Sequence, residues 1–210
     1  MLTCAVRPAG IVGEKDRGGI ANGFLTAAQN SPDWQLNIQL GEGDNLFDCT
    51  YVGNVVFGLT VAAETLLTTH SRLQKADGPA ITEDERVDGE AFIVTNDSPV
   101  YFWDLARYVW TLYGRTVLVE KTWALSESLM YPIGALAELT SWFTGRKTKI
   151  TRSAVKYSCI HRYYDCKKLK ERCGYAPIVG LEEAFGRSVR QFVIDEEAEK
   201  AKAGSGKKQQ

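Results

Sequence analysis

Short strands alternating with amphipathic helices predict an α/β fold for this chain of 210 residues. Three stretches carry the prediction. Leu2 to Val6 is a short apolar run entering Arg7-Pro8-Ala9-Gly10-Ile11-Val12-Gly13, where Pro and Gly end a strand in a loop. Phe47 to Val52 reads as a further strand, and Gly53-Asn54 opens an amphipathic helix to about Leu67. Gly89 to Thr95 is a buried strand leading into the helix start Asn96-Asp97-Ser98-Pro99.

The remaining elements follow in order. Leu36 to Leu40 is a short strand closed by the turn Gly41-Glu42-Gly43-Asp44. Asn54 is suited to cap the exposed amides of its helix. Gln74 to Asp88 is polar and turn-rich, a surface loop. After Pro99, with Asp97 or Ser98 as cap, residues Phe102, Leu105, Ala106, Val109, Trp110 and Tyr113 fall at helical spacing as far as Gly114. Val117 to Val119 is a short strand, and Trp123 to Phe143 is helical, interrupted by Pro132 and Gly134. Asp165 caps a short helix ending at Cys173-Gly174, and Leu181 to Phe192 is the last amphipathic helix. Residues 1–194 are expected to be the folded region, and 195–210, rich in Glu, Lys, Ala and Gly, a disordered charged tail.

Composition narrows the function. Hydrophobic residues make up 44% and charged residues 24%, which excludes a mostly disordered chain. Lys plus Arg total 25 and Asp plus Glu 26, so nucleic acid is not expected as a partner. No apolar run approaches the roughly 20 residues that cross a bilayer, and Met1 to Gly10 has no signal-peptide pattern. Cys4, Cys49, Cys159, Cys166 and Cys173 form an odd set without a CxxC pair and read as reduced thiols. The last three are seven apart, and on one helix they would spread over about 20 Å, so no metal site is expected. Neither His70 nor His161 has partners at ligand spacing.

Five blocks suggest a family: Arg7-Pro8-x-Gly10-Ile11-x-Gly13-Glu14, Tyr51-Val52-Gly53-Asn54-Val55, Gly89 to Asp97, Pro99 to Asp104, and Tyr163-Tyr164-Asp165 with Gly174-Tyr175-x-Pro177. In this order and spacing the chain resembles the 3β-hydroxysteroid dehydrogenase group of extended short-chain dehydrogenases, in their C-terminal portion. The resemblance implies part of a Rossmann-type sheet plus a small mixed α/β substrate domain. It also implies NAD or NADP as coenzyme, a sterol-like substrate oxidised at its 3-hydroxyl, and loss of a 4-carboxylate where one is present. The family's Gly-rich dinucleotide turn and its catalytic Tyr-x3-Lys pair are expected to lie ahead of Met1, so no catalytic residue is assigned here. Tyr163-x3-Lys167 and Tyr164-x3-Lys168 have the spacing, but Asp165 marks that segment as a helix start.

By the same resemblance, Pro8, Ala9, Gly10 and Ile11 would lie by the coenzyme's carboxamide, and Asn22, Phe24 and Tyr51 on the substrate side. Asn22 reads equally as an exposed helix residue. Tyr51 reads more readily as packing at a strand end, and Tyr101, Phe102 and Trp103 as core. Trp123 to Phe143, followed by Arg146, Lys147 and Lys149, suits peripheral membrane contact through 123–149, against the alternative of a core helix over the pocket. Lys207-Lys208-Gln209-Gln210 has the form of a dilysine retrieval signal. The expected place is therefore the cytosolic face of the endoplasmic reticulum membrane, or the cytoplasm. The chain is expected to work as a homodimer or with a separate N-terminal half.

Overall fold

The computed structural model describes residues 1–75, 81–146, 148 and 150–206. It forms two compact units interleaved along the sequence: Met1–Ala21, Asp48–Pro99 and Tyr163–Gln210 make one, Asn22–Phe47 and Val100–Arg162 the other. No composition shift marks this division, which the sequence reading treats as one region from 1 to 194.

In the first unit β1 (Ala5–Pro8) pairs in parallel with β6 (Ala91–Val94), and β2 (Gly10–Val12) pairs in parallel with β5 (Cys49–Tyr51). The stretch from Arg7 to Gly13, expected as loop, is therefore largely strand. Ala9 alone separates β1 from β2, and its N–H is satisfied by the Val94 carbonyl at 2.9 Å. Pro8 closes β1, where a missing ladder donor costs little. Helix α3 (Val52–Leu73) packs Val55 and Ala62 into a core with Val87, Phe92, Val94, Leu169 and Tyr175. Gly58 lets it approach, since a Cβ there would sit 3.0 Å from Val94 Cγ2. α3 has 22 residues and an 18-residue window of mean hydropathy 1.3, long and apolar enough by length and composition to cross a membrane, a test that core helices pass as well. Interspersed Thr and Gly disguise the run, while Glu64 and Arg72 are its only Asp, Glu, Lys or Arg.

Helices α7 (Lys167–Cys173) and α8 (Leu181–Gly206) complete this unit. Asp165 accepts from the Lys167 amide at 2.7 Å, close to the expected cap. α8 continues far beyond Phe192, into the residues expected to be a tail. Same-face pairs sustain it: Gln191 donates to Asp195 at 2.8 Å, and Lys200 pairs with Glu196. The dilysine sequence lies outside the described residues.

In the second unit β3 (Ile38–Leu40) runs parallel to β8 (Trp123–Leu125), and β4 (Leu46–Phe47) antiparallel to β7 (Val100–Tyr101). Helices are α1 (Ile20–Asn30, entering from the first unit), α2 (Asp33–Leu36), α4 (Phe102–Leu112), α5 (Glu127–Thr144) and α6 (Arg152–Cys159). Phe102 meets Phe24 edge-on at 5.3 Å, Phe47 at 5.4 Å and Tyr157 at 6.1 Å. The α4 start corrects the expected cap. Val100-Tyr101 are taken by pairing with Leu46-Phe47, so α4 begins at Phe102 without a side-chain cap. The expected strand at Val117 to Val119 is replaced by a 3-10 turn, Val119–Lys121.

Trp123 to Leu125 is strand rather than helix, because β3 supplies a parallel partner. Ser126 caps α5 with its hydroxyl accepting from the Leu129 amide, and Gly145 ends it at φ +68°. Pro132 and Gly134 lie within a continuous helix. Gly134 is needed for packing, since a Cβ there would come 3.0 Å from the Arg152 backbone nitrogen in α6. Glu138 accepts from that Arg152 amide at 2.8 Å and from its Nε at 2.7 Å, and these bonds hold the Glu138 carboxyl below its ordinary range. Elsewhere α5 leaves apolar side chains in solvent, with Trp142 75% and Phe143 72% exposed and stacked edge-on at 4.7 Å.

Candidate functional site

β2 and β5 are parallel, so their C-terminal ends share one edge of the first unit, with Val12 opposite Tyr51. Ligands of open α/β sheets bind outside such carboxyl ends. Gly13 follows β2 against α3, where a Cβ would meet Val52 Cγ1 at 2.8 Å, so only glycine fits. Tyr51 is 7% exposed, and its hydroxyl donates to Glu14 Oε1 at 2.8 Å. Arg187 from α8 donates through Nη1 to the same hydroxyl at 3.1 Å, lies 3.9 Å from Glu14, and stands over the Tyr51 ring at 5.4 Å. Glu183 accepts from the other side of the guanidinium at 2.6 and 3.1 Å. Bonding to Glu183, then to Tyr51, raises the Arg187 pKa further.

Asn54 does not cap α3; Tyr51 occupies the cap position. Fully buried, the Asn54 amide donates to Asn96 Oδ1 and the Val179 carbonyl, both at 2.8 Å, and accepts from the Ile178 and Val179 amides at 3.0 Å. Asn96 in turn donates to the Val179 carbonyl at 2.7 Å and accepts from the Tyr51 amide at 3.0 Å. Two side-chain amides thus fix both the end of β5 and the turn before α8, with every polar group of Asn54 satisfied.

Nearby, the Tyr175 hydroxyl donates to the Thr95 carbonyl at 2.8 Å, and burial pushes its pKa up to about 12. Asp48, 2% exposed, accepts the Tyr164 amide through Oδ2, while its Oδ1 has no partner. Burial raises the Asp48 pKa, the Tyr164 bond opposes this, and Asp97 adds repulsion.

The sequence-derived site residues fall as follows. Pro8 and Ile11 are exposed, Ala9 and Gly10 half-buried, and all four share the first unit with Tyr51. Asn22 and Phe24 lie on α1 in the second unit; Asn22 is half-buried, and Phe24 is buried with its carbonyl accepting from Trp110 Nε1 at 3.0 Å. Glu14 and Asn96 fall within the family blocks without being assigned to the site, and Arg187 was not singled out by the sequence. The i,i+4 spacing of Glu183 and Arg187 shows their mutual pair, but nothing local shows Arg187 reaching Tyr51.

Tyr163 and Tyr164 precede α7 and are exposed. Lys167 pairs with Glu171 at 3.6 Å and Lys168 with Glu90, so neither tyrosine shares a helical turn with its lysine. All five cysteines are free thiols, and burial raises the pKa of Cys4, Cys159, Cys166 and Cys173. Among the described residues no group of three or more His, Cys, Asp and Glu could hold a metal ion.

The profile of the 3-beta hydroxysteroid dehydrogenase/isomerase family matches residues 1–125. The chain belongs to this family. It is 36% identical over 187 residues to the decarboxylating sterol-4-alpha-carboxylate 3-dehydrogenase of Saccharomyces cerevisiae, covering 89% of this chain and 48% of that protein. The human enzyme of the same name is 30% identical over 192 residues, covering 91% and 46%. The chain therefore spans about half the length of these family relatives. Among solved structures, dTDP-glucose 4,6-dehydratase from Bacillus anthracis in complex with NAD superposes with a TM-score of 0.53 at 13% identity, over 91% of this chain and 45% of that one. An epimerase from Methanothermobacter thermautotrophicus gives 0.51 at 15% identity, over 94% and 45%. These similarities show the fold, a portion of the Rossmann-like architecture of extended short-chain dehydrogenases.

Proposed function

We propose that this chain is the substrate-side portion of an NAD(P)-dependent oxidoreductase that oxidises the 3-hydroxyl of a sterol or triterpenoid-like substrate. Where a C4 carboxyl is present, it is lost as CO₂. The observation that carries this reading is the family match over residues 1–125, joined to relatives named as decarboxylating sterol-4-alpha-carboxylate 3-dehydrogenases. When bound, the nicotinamide supplies the hydride acceptor. The new 3-ketone lies β to the carboxyl and takes up the electron pair released with CO₂.

The chain's own contribution is positioning. Gly10 has no side chain, and Pro8 at the end of β1 and Ile11 within β2 (43% exposed) offer apolar surface, which suits a flat ring and its carboxamide. Pro8, Ala9, Gly10 and Ile11 are the proposed nicotinamide contacts. Tyr51 in the first unit, and Asn22 and Phe24 in the second, are each proposed as substrate-side residues. These 210 residues encode no Gly-rich strand–turn–helix for the pyrophosphate, so the fit is to the nicotinamide end.

The exposed apolar face of α5, followed by Arg146, supports peripheral contact with the cytosolic face of the endoplasmic reticulum membrane, where a sterol would be met. Lys147 and Lys149 lie outside the described residues. The same face favours the alternative of a non-catalytic, membrane-associated binder of hydrophobic ligands. The test is titration of the purified chain with a 4-carboxysterol, followed by tryptophan fluorescence, with and without NAD(P)⁺. Saturable sterol binding without NAD(P)H formation is expected of the chain alone. Absence of sterol binding would overturn the reading. Restored NAD(P)H formation on adding a relative's dinucleotide-binding half would exclude the non-catalytic alternative.

A further inference from the structure

We infer that Glu14 and Arg187 are positioning residues that, through the Tyr51 hydroxyl, latch the exit of β2 and so fix the backbone of residues 10–15. The inference rests on the proposed role of that segment beside the coenzyme, and it adds two residues from outside the segment that hold it in place.

Three separate pieces of chain meet at one hydroxyl. Glu14 follows β2, Tyr51 ends β5, and Arg187 projects from α8. The hydroxyl is used in both directions, donating to Glu14 at 2.8 Å and accepting from Arg187 at 3.1 Å. A phenol held this way cannot rotate without losing a charge-assisted bond. Arg187 is itself fixed from two sides. Glu183 holds the rest of its guanidinium, and Asn54 and Asn96 clamp residues 178–179 just ahead of α8. The alignment of α8 is thereby transmitted to the end of β2.

Glu14 and the Arg187 side chain are only about two-thirds buried (35% and 36% exposed), whereas Tyr51 is almost completely so. The latch therefore sits at the rim, where its ionic half can open without exposing the core. Immediately beyond it lie Lys15 and Arg17, both exposed, and Asp16, which accepts from the Gly18 and Gly19 amides. Two tryptic sites thus lie at the C-terminal end of the latched segment and report its motion.

The experiment compares the full chain with Tyr51→Phe, Arg187→Ala, Arg187→Lys and Glu14→Gln. It measures amide exchange of residues 11–15, the rate of trypsin cleavage after Lys15 and Arg17, and the melting temperature. Tyr51→Phe and Arg187→Ala should each accelerate local exchange and cleavage about tenfold, with exchange in α4 unchanged. Glu14→Gln should give a smaller increase, and Arg187→Lys should restore only part of the protection, since an ammonium keeps the charge but cannot hold Glu183, the hydroxyl and the ring together as the guanidinium does. Unchanged local exchange in both Tyr51→Phe and Arg187→Ala, or acceleration spread evenly over the chain, would overturn the latch. These readings need no coenzyme. A wild-type segment that is protected while the chain, completed with a dinucleotide-binding half, leaves NAD(P) unbound would sink the functional reading and leave the latch standing.

Discussion

The end of β5 and the core around Phe102 solve the same problem, holding short strands in place, by opposite means. Around Tyr51 the work falls to directional hydrogen bonds: two buried amides, a phenol, a carboxylate and a guanidinium. Around Phe102 it falls to ring edges packed on Phe24, Phe47 and Tyr157. Directional bonds fix backbone position closely but fail abruptly when one partner is removed. Ring packing tolerates small shifts and fails in proportion to the volume lost. The polar solution lies where the nicotinamide contacts are proposed, and preorganised sites require that kind of precision.

The sharpest way to break this contrast is Asn54→Ala. It removes four hydrogen bonds and strands the Ile178 and Val179 amides, and should cost about 4 kcal/mol in urea denaturation. Phe102→Ala should cost slightly less, about 3 kcal/mol, and Phe102→Leu much less. A comparable loss in Phe102→Leu would show that the ring core is as exacting as the amide core.

Tyr175→Phe tests a single neutral bond and should cost about 1 kcal/mol near neutral pH. Because the native Tyr175 pKa is raised to about 12, its contribution is fully present below about pH 10 and is lost as pH rises toward 12. The penalty of the variant should shrink over that window, as read from melting temperature against pH.

Asp48→Asn should give a gain rather than a loss. The native Asp48 pKa is raised, chiefly by burial, so the carboxyl favours folding while protonated and loses that advantage as pH climbs through its native pKa. The variant should melt above the wild type at pH 7 and converge with it toward pH 3.5. Wild type melting higher at pH 7 would contradict this. The smallest effect is expected at Lys200→Ala, where an exposed lysine pairs with half-buried Glu196 on α8, within about 0.5 kcal/mol.

Helices with a clear apolar stripe were legible in the sequence. Phe102, Leu105, Ala106, Val109 and Trp110 mark α4 and are all buried. The five family blocks were equally legible, whereas the Gly-Pro punctuation from Arg7 to Gly13 suggested a loop where β1 and β2 run. What was misread depended on a distant partner. Val100-Tyr101 became strand because Leu46-Phe47 lie beside them, and Trp123–Leu125 because of β3. Asn54 looked like a cap because an Asn at a helix start reads the same whether it bonds its own amides or a turn 125 residues away. The extension of α8 past Phe192 was missed because its support is polar, through pairs such as Gln191–Asp195 rather than an apolar stripe.

By itself the sequence determined the α/β alternation, because apolar periodicity and glycine or proline placement are local properties, and its five motif blocks carried the resemblance to the family. The tertiary structure alone decided that Asn54 clamps a turn, that Arg187 reaches Tyr51 across 136 positions, and that α5 keeps its tryptophan in solvent. Hydrogen-bond partners and burial are set by which surfaces meet once the chain has folded, and separations of that length leave no local pattern to read.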